Sequence, residues 1–309
     1  MKKVFIDGKA GTTGLRIEER LNGRDDIEIV TIPEELRKDP IEKKKILNSV
    51  DIAFLCLPDD ASRESVSLIE NENVVVIDTS TAHRTNDAWA YGFPELDKSF
   101  EEKIKNSKRI AVPGCHASGF IALVYPLVKN GIISEETLLT AHSLTGYSGG
   151  GKKMIADYES DELDMLLVGP RQYGLAQSHK HLPEMLKVTG LKNAPVFCPI
   201  VGTFYSGMEV TVPLFKSQLL KGGIEEIKEI YKNTYNSPLV SYVEGEDEEG
   251  FLSAVKLEGK DSMQIEVYGN EDRILLVARY DNLGKGASGA AVECLNIVLG
   301  TDKTKTLEL

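Results

Sequence analysis

The sequence has few of the features that mark disulfide-linked, secreted or membrane-spanning proteins. Its 309 residues include four widely spaced cysteines, Cys56, Cys115, Cys198 and Cys294, and this spacing predicts reduced thiols. No apolar run approaches the roughly 20 residues that a membrane helix needs. The start "MKKVFIDG" reaches a glycine too early for the apolar region of a secretory signal. We therefore expect a cytoplasmic protein that does not contact a membrane.

Positive charge is also in short supply. There are 36 Lys and Arg against 48 Asp and Glu, which gives a net charge of -12 at pH 7. This balance argues against a nucleic-acid partner, although a local cluster of positive groups can still hold an anionic small molecule. The content of 41% hydrophobic and 27% charged residues is typical of a globular protein, and the length allows two domains.

The sequence pattern differs between the first third of the chain and the remainder. The first third alternates helical patterns with short β-rich runs, "KKVFIDG", "IEIVTI", "DIAFLCLP" and "NVVVIDTS", which predicts a Rossmann-like, doubly wound parallel sheet over 1–114. Beyond Cys115 the alternating segments "MEVTVPLF" and "SMQIEVYG" predict an α+β domain with a mainly antiparallel sheet over 115–283. The fold class is therefore α/β.

A glycine-rich turn follows the first predicted strand, where "VFIDGKAGTTGLRIEERL" passes through Gly8, Gly11 and Gly14 into an amphipathic helix. Such glycines let backbone amides approach a pyrophosphate at a helix N-terminus, so this position favours a dinucleotide over an ordinary turn. Arg37 and Lys38 follow the second predicted strand and suit the 2'-phosphate of NADPH. The alternative interpretation is that both are ordinary surface charges.

The stretch "VPGCHASGF" places Cys115 between a Pro-Gly turn and an apolar run. Apolar residues at three- and four-residue steps predict a helix that begins near this cysteine and that Pro126 kinks or interrupts. A helix N-terminus favours the thiolate, which is the nucleophilic form. Free cysteine is also a common core residue, so a buried structural thiol is the alternative. We interpret Cys56 and Cys294 as core residues.

A thiol nucleophile needs an acid-base partner, and "QSHKHLPEML" offers His179 and His181. The adjacent His116 is a poor partner because neighbours on a helix do not face each other. The pair could equally be surface histidines, and we predict no metal site because zinc-ligand spacing is missing. Upstream, "SLTGYSGGGKK" brings Gly149, Gly150 and Gly151 together, either as an amide-lined anion site or as a flexible loop.

These residues together resemble a known family, the N-acetyl-γ-glutamyl-phosphate reductases of the shorter type, within the wider aspartate-semialdehyde dehydrogenase group. The resemblance covers essentially the whole chain, through the motifs "GKAGTTG", "DTSTAHR", "YGFPEL", "PGCHASG", "GYSGGGK", "HKHLPEM" and "DNLGKGASG". One departure is visible, because the family's cysteine is often followed by Tyr-Pro-Thr, whereas His116-Ala-Ser follows here. That change concerns local substrate contacts only.

The resemblance implies NADPH-dependent reduction of an acyl phosphate in arginine biosynthesis, with Cys115 as nucleophile and His181 as acid-base, although the spacing itself does not choose between His179 and His181. It also implies that the C-terminal segment 284–309 packs back on the nucleotide domain. The candidate substrate-binding residues are Arg84, Ser148, Gly149, His179 and Glu184, and Arg84 is alternatively a structural ion pair. The candidate cofactor-binding residues are Gly8, Gly11, Thr12, Thr13, Gly14, Arg37, Lys38, Ser80, Asn282 and Gly286. We expect a homo-oligomer, a dimer or a tetramer.

Three other functions compete with this one. An aspartyl-phosphate reductase would share the fold and the chemistry and differ in its substrate pocket. A cysteine hydrolase or acyltransferase would use the thiol and a histidine without nicotinamide, and the glycine-rich turn argues against it. A non-catalytic dinucleotide sensor would leave the thiol at a helix N-terminus and the histidine pair without a purpose.

Overall fold

The computed structural model describes residues 1–37 and 39–309, so the predicted cofactor residue Lys38 lies outside the described residues. The strands are β1 (Lys2–Asp7), β2 (Ile27–Val30), β3 (Ile52–Leu55), β4 (Val75–Asp78), β5 (Ala90–Tyr91), β6 (Arg109–Ala111), β7 (Thr140–Thr145), β8 (Arg171–Gln172), β9 (Val196–Val201), β10 (Met208–Phe215), β11 (Val240–Tyr242), β12 (Met263–Gly269) and β13 (Arg273–Tyr280). The helices are α1 (Thr12–Leu21), α2 (Pro40–Leu47), α3 (Asp59–Ser67), α4 (Lys98–Asn106), α5 (Cys115–Lys129), α6 (Gly151–Tyr158), α7 (Leu182–Thr189), α8 (Ile224–Thr234) and α9 (Gly289–Leu299).

The chain forms two compact units, which we describe separately. The first comprises 1–94, 98–114 and 287–307, and the second comprises 95–97, 115–286 and the last two residues. No helix in the described part of the chain is both long and apolar enough to span a membrane.

The first unit is built on a six-stranded parallel sheet in the order β2-β1-β3-β4-β6-β5. Alternate side chains of β1 enter two different cores, because Val4 and Ile6 pack on one face of the sheet and Phe5 packs on the other. Burial on both faces is typical of a doubly wound parallel sheet and explains the nearly continuous apolar runs in the sequence. Helices α1 and α9 cover the face that holds Val4, so the predicted fold class is confirmed.

The second unit contains a seven-stranded sheet in the order β11-β12-β13-β10-β7-β9-β8. Its central pairs, β12 with β13, β13 with β10 and β10 with β7, are antiparallel, as the alternating segments predict. The pairs β7 with β9 and β11 with β12 are parallel, so the sheet is mixed. Helix α5 lies against β10 and β13, and Gly119 permits this close approach because a Cβ there would lie 2.7 Å from the Tyr280 hydroxyl.

Helix α5 continues through Pro126 to Lys129, so the proline does not interrupt it. Proline has no amide hydrogen and leaves the carbonyl group of Ala122 without its helical donor. The Tyr235 hydroxyl donates to that carbonyl at 2.6 Å, and the Tyr231 hydroxyl donates to the next one, that of Leu123, at 2.5 Å. Burial holds the pKa of both phenols well above its usual range, so they remain donors. Two hydroxyls thus satisfy the carbonyl groups around the proline.

Candidate active site

Cys115 is the first residue of α5, where the sequence predicts the helix to begin. Its carbonyl accepts a hydrogen bond from the Tyr280 hydroxyl at 2.5 Å, and the same hydroxyl accepts one from the Gly119 amide at 3.0 Å. A Cβ on Gly286 would lie 3.1 Å from the Cys115 Cβ, so this glycine lets the chain pass close to the cysteine. The thiol is only partly buried, and it therefore remains accessible at the start of a helix.

The other cysteines have different surroundings. Cys294 is fully buried in the core of the first unit, which confirms the sequence interpretation. Cys56 packs against the same core, and burial raises the pKa of its thiol to about 12. A thiol that stays protonated at neutral pH is a poor nucleophile.

Cys115 opens onto a cavity of about 230 Å³ within the second unit. Backbone from the glycine-rich loop forms one part of its wall, and histidine and tyrosine side chains form another. The lining consists of Cys115, His116, Thr145, Gly146, Gly149, Gly150, Met154, Tyr173, His179, Lys180, His181 and Val201. The cysteine and both histidines of "HKH" therefore line the same space.

The two histidines of "HKH" stand immediately before α7. Their ring centroids are 4.7 Å apart in an edge-to-face arrangement, and the His181 amide donates to Nδ1 of His179 at 3.2 Å. His181 is buried, with 5% of its surface exposed. Burial, followed by the charge of Lys180, lowers the pKa of His179. Both rings line the cavity with the thiol, so the geometry leaves both as acid-base candidates.

His116 belongs to the same cluster, although the sequence argument set it aside. Its ring centroid lies 5.6 Å from that of His179 and 5.7 Å from that of His181. Its Nδ1 is 2.7 Å from Oγ of Ser143, and its Nε2 is 2.6 Å from the Tyr173 hydroxyl. Burial, with a smaller contribution from His179, lowers the pKa of His116 to about 3. His116 is therefore a neutral ring held at both nitrogens.

Tyr173 is a site residue that the sequence argument missed. It lies just after the short strand β8 and lines the cavity. Burial raises the pKa of its phenol, and the charge of Cys115 raises it further. No motif marks Tyr173 in the sequence, because only the pairing of β8 with β9 brings it to the histidines.

The loop "GYSGGGK" forms one side of the cavity. Ser148 is buried, and its hydroxyl accepts a hydrogen bond from Nδ2 of Asn282 at 3.0 Å. The Asn282 carbonyl oxygen accepts from the Gly207 amide at 2.9 Å. Gly149 lies beside this amide group, since a Cβ there would be 3.4 Å from the Asn282 nitrogen. Asn282 thus ties the loop to the chain near Gly207, a contact that the sequence does not predict.

The predicted substrate residue Glu184 is buried on α7.

Two predicted site residues, Ser80 and Arg84, lie after β4 in the first unit. Arg84 is buried, and its guanidinium donates from Nε to the Val112 carbonyl and from Nη2 to the Thr79 carbonyl, each at 2.8 Å. The Ser80 hydroxyl donates to Asp78 at 2.7 Å. These bonds give both side chains a structural role within the first unit.

The glycine-rich turn after β1 has the tight geometry that the sequence predicts. Gly8 has a φ of +84°, and a Cβ there would lie 2.3 Å from the Cys56 carbonyl oxygen. A Cβ on Gly14 would lie 2.6 Å from the Gly8 carbonyl oxygen, so side chains are sterically excluded at both positions. Gly11 is the N-cap of α1 and supplies no side-chain hydrogen bond to the first amides, which belong to Thr12 and Thr13. This backbone cradle fits a phosphate group.

Basic side chains flank the cradle. A cavity of about 370 Å³ next to Gly8 is lined by Asp7, Arg37 and Lys43, among others. Lys43, a residue that the sequence argument missed, places its ammonium group 2.9 Å from the Asp7 carboxylate. Arg37 also lines a second, smaller cavity on the β2 side of the turn. Arg37 and Lys43 thus bring positive charge to a cavity whose lining also contains the carboxylates of Asp7 and Glu64. No cluster of three or more His, Cys, Asp or Glu side chains within 1–37 and 39–309 is arranged to hold a metal ion.

Comparisons with known proteins agree with this geometry. A family model described as "Semialdehyde dehydrogenase, NAD binding domain" matches 3–107, and one described as "Semialdehyde dehydrogenase, dimerisation domain" matches 115–282. A relative from Nostoc sp., named N-acetyl-gamma-glutamyl-phosphate reductase 2, is 45% identical over 96% of this chain and 97% of its own. A relative from Chelativorans sp., named N-acetyl-gamma-glutamyl-phosphate reductase, is 47% identical over 96% of this chain and 98% of its own.

Solved structures with the same fold are more distant in sequence. Aspartate semialdehyde dehydrogenase II from Vibrio cholerae, complexed with ASA, has a TM-score of 0.72 at 17% identity and covers 97% of this chain and 98% of its own. Aspartate semialdehyde dehydrogenase with NADP from Candida albicans has a TM-score of 0.68 at 15% identity, over 97% of this chain and 98% of its own. These similarities establish the fold.

Proposed function

Because the chain belongs to the N-acetyl-gamma-glutamyl-phosphate reductase family, with the two-domain organisation of the semialdehyde dehydrogenases, we propose that it reduces N-acetyl-γ-glutamyl phosphate. The products are N-acetylglutamate semialdehyde and inorganic phosphate, and the reaction serves arginine biosynthesis. The observation that carries this proposal is the cavity that is lined both by Cys115, a partly buried cysteine at a helix N-terminus, and by the histidine pair.

Cys115 is the nucleophile in this proposal. Its thiolate attacks the acyl carbon, the bond between that carbon and the phosphate oxygen breaks, inorganic phosphate leaves, and an acyl thioester remains on the sulfur. The start of α5 favours the thiolate through its unpaired amides and its positive dipole end. The hydrogen bond from Tyr280 to the Cys115 carbonyl fixes the backbone that carries the sulfur.

His181 is the proposed acid-base. When bound, the nicotinamide cofactor supplies the hydride that reduces the thioester. His181 then protonates the oxygen of the resulting thiohemiacetal and takes that proton back as the carbon–sulfur bond breaks, which releases the aldehyde and regenerates the thiolate. General acid-base assistance of this kind is typically worth ~10²–10⁴ in rate.

The family model supports a nicotinamide cofactor, and we propose that it is NADPH. Gly8, Gly11 and Gly14, with Thr12 and Thr13, would hold its pyrophosphate at the start of α1. Arg37 would bind the 2'-phosphate together with Lys38, and its place in the wall of both cavities beside Gly8 supports this role. Ser80, Asn282 and Gly286 are further proposed cofactor contacts.

Substrate binding is assigned to Arg84, Ser148, Gly149, His179 and Glu184. We place the nucleotide domain at 1–114, with the segment 284–309 packed back on it, and the substrate domain at 115–283. The match to a dimerisation domain supports a homo-oligomer, either a dimer or a tetramer. A small-molecule acyl phosphate is the proposed partner, and the cytoplasm is the proposed location.

The reverse reaction tests the proposal directly. Purified protein with N-acetylglutamate semialdehyde, inorganic phosphate and NADP⁺ should form NADPH, followed at 340 nm, and omission of phosphate should abolish the signal. Aspartate semialdehyde is the matched substrate control. Faster turnover of aspartate semialdehyde would reassign the substrate, and NADPH formation independent of phosphate would contradict the acyl-phosphate chemistry.

A further inference from the structure

The cavity at Cys115 has an unbalanced charge. Among the residues that line it, Lys180 is the one with a permanent charge, and no carboxylate is among them. The glycine loop adds only backbone at Gly149 and Gly150. In a protein with a net charge of -12, a cavity wall with a lysine and no acid is a local departure from the average surface.

Lys180 itself is available for a ligand. Its side chain is exposed, and it lies between the two histidines of "HKH". Lys192, another exposed lysine of the second unit, is engaged by the carboxylates of Glu135 and Glu136. Within the described part of the chain, no carboxylate pairs with the Lys180 ammonium group.

The charge of Lys180 affects a histidine that lines the cavity. It contributes, after burial, to the lowered pKa of the neighbouring His179. His116 is neutral, because burial lowers its pKa to about 3. The charge that these parts of the wall present to a ligand at neutral pH is therefore that of the lysine.

We propose that Lys180 binds an oxyanion of the substrate and so contributes to substrate specificity. The inference rests on the proposed function, because N-acetyl-γ-glutamyl phosphate carries both a carboxylate and a phosphoryl group. A lysine ammonium is a compact charge with three rotatable donors and suits either oxyanion. A neutral aldehyde or ester would gain nothing from it.

Steady-state kinetics of the reverse reaction test this role, because the two oxyanions then belong to separate substrates. Lys180→Met should raise the KM for either inorganic phosphate or N-acetylglutamate semialdehyde by about tenfold or more, as expected for a lost charge-assisted hydrogen bond. The KM that rises identifies the oxyanion. Lys180→Arg should restore most of the affinity, and kcat should change less than KM because the contact is made in the ground state as well.

Lys153→Met is the matched control, since it removes an equal charge from α6 next to the glycine loop without altering the cavity wall. It should leave both KM values unchanged. Two unchanged KM values in Lys180→Met, or an equal rise in Lys153→Met, would overturn the proposal.

A second measurement does not depend on catalysis. Iodoacetate is anionic and iodoacetamide is neutral, so the ratio of their alkylation rates at Cys115 reports the anion affinity of the cavity. At low ionic strength Lys180→Met should lower this ratio several-fold, and Lys153→Met should not. The wild type itself could prove inactive on the proposed substrate, which would reject the proposed function. In that case a lower ratio in Lys180→Met still supports the oxyanion site. An unchanged ratio in Lys180→Met rejects the oxyanion site.

Discussion

Protonation of His116 should destabilise the protein in mild acid, and the size of the effect follows from its surroundings. The ring is 3% exposed, and its pKa is lowered from 6.5 to about 3. Between these two values the unfolded chain binds a proton at His116 and the folded chain does not, so stability is lost as the pH falls below about 6.5. At 1.36 kcal/mol per pKa unit, the loss from this one ring between pH 7.5 and pH 5 is about 2 kcal/mol.

The asparagine variant isolates that contribution. His116→Asn removes the titrating group, and the cost of its lost packing does not depend on pH. The free energy of unfolding of the variant should therefore fall by about 2 kcal/mol less than that of the wild type between pH 7.5 and pH 5. His142→Asn, on the exposed side of β7, is the matched control.

Urea unfolding at several pH values gives the comparison. Hydrogen exchange of the α5 amides should accompany it, so that the measured opening is that of the unit which contains His116. Parallel pH curves for the wild type and His116→Asn would refute the reasoning. They would mean that the folded protein accepts a proton at this ring as easily as the unfolded chain does.

The remaining predictions concern the chemistry of the site. Cys115→Ser should abolish reduction in an activity assay while leaving NADPH binding, measured by fluorescence, intact, because a hydroxyl is nearly isosteric but a far weaker nucleophile at neutral pH; a variant that keeps a tenth of the activity would contradict the thioester mechanism. Replacing Arg37 and Lys38 together by Ala should raise the KM for NADPH much more than that for NADH, and unchanged discrimination would place the 2'-phosphate elsewhere. His181→Asn should lower kcat strongly with little change in KM, and it should remove a neutral-range ionisation from the pH profile. His179→Asn should do less, and the reverse order of the two variants would exchange their roles.

Much of the fold was predictable because its signals are local. The strands of the first sheet are buried on both faces and appear as short apolar runs, and β10 and β12 alternate as strands with one covered face do. The start of α5 at Cys115 follows from the Pro-Gly turn and the apolar spacing. The family is confirmed by relatives at 45–47% identity. The predictions of strands and of the helix start depend only on residues that are close together in the sequence.

The parts that sequence reasoning missed depend on distant pairings. Ser143 of β7 lies beside the His116 ring, although 27 positions separate them in the chain, and the pairing of β8 with β9 brings Tyr173 to the same ring. Lys43 approaches the glycine turn through its ion pair with Asp7, 36 positions earlier in the chain. The argument from helical directions set His116 aside as a partner for Cys115, and it did not anticipate that both ring nitrogens of His116 would contact hydroxyl groups of Ser143 and Tyr173.

The tyrosine hydroxyl groups that bind α5 also affect the orientation of the Cys115 sulfur. Tyr280 is attached at the first turn, and Tyr231 and Tyr235 are attached about seven residues further along, which is roughly 10 Å of helix axis. Two anchoring points at that separation restrict both sliding of the helix along its axis and tilting of its first turn. The direction of the nucleophile is therefore set partly by Tyr231 of α8 and by Tyr235, the residue that follows α8. An engineer who wished to re-aim the thiol for another acyl substrate would have to change those distant anchors as well as the cavity wall.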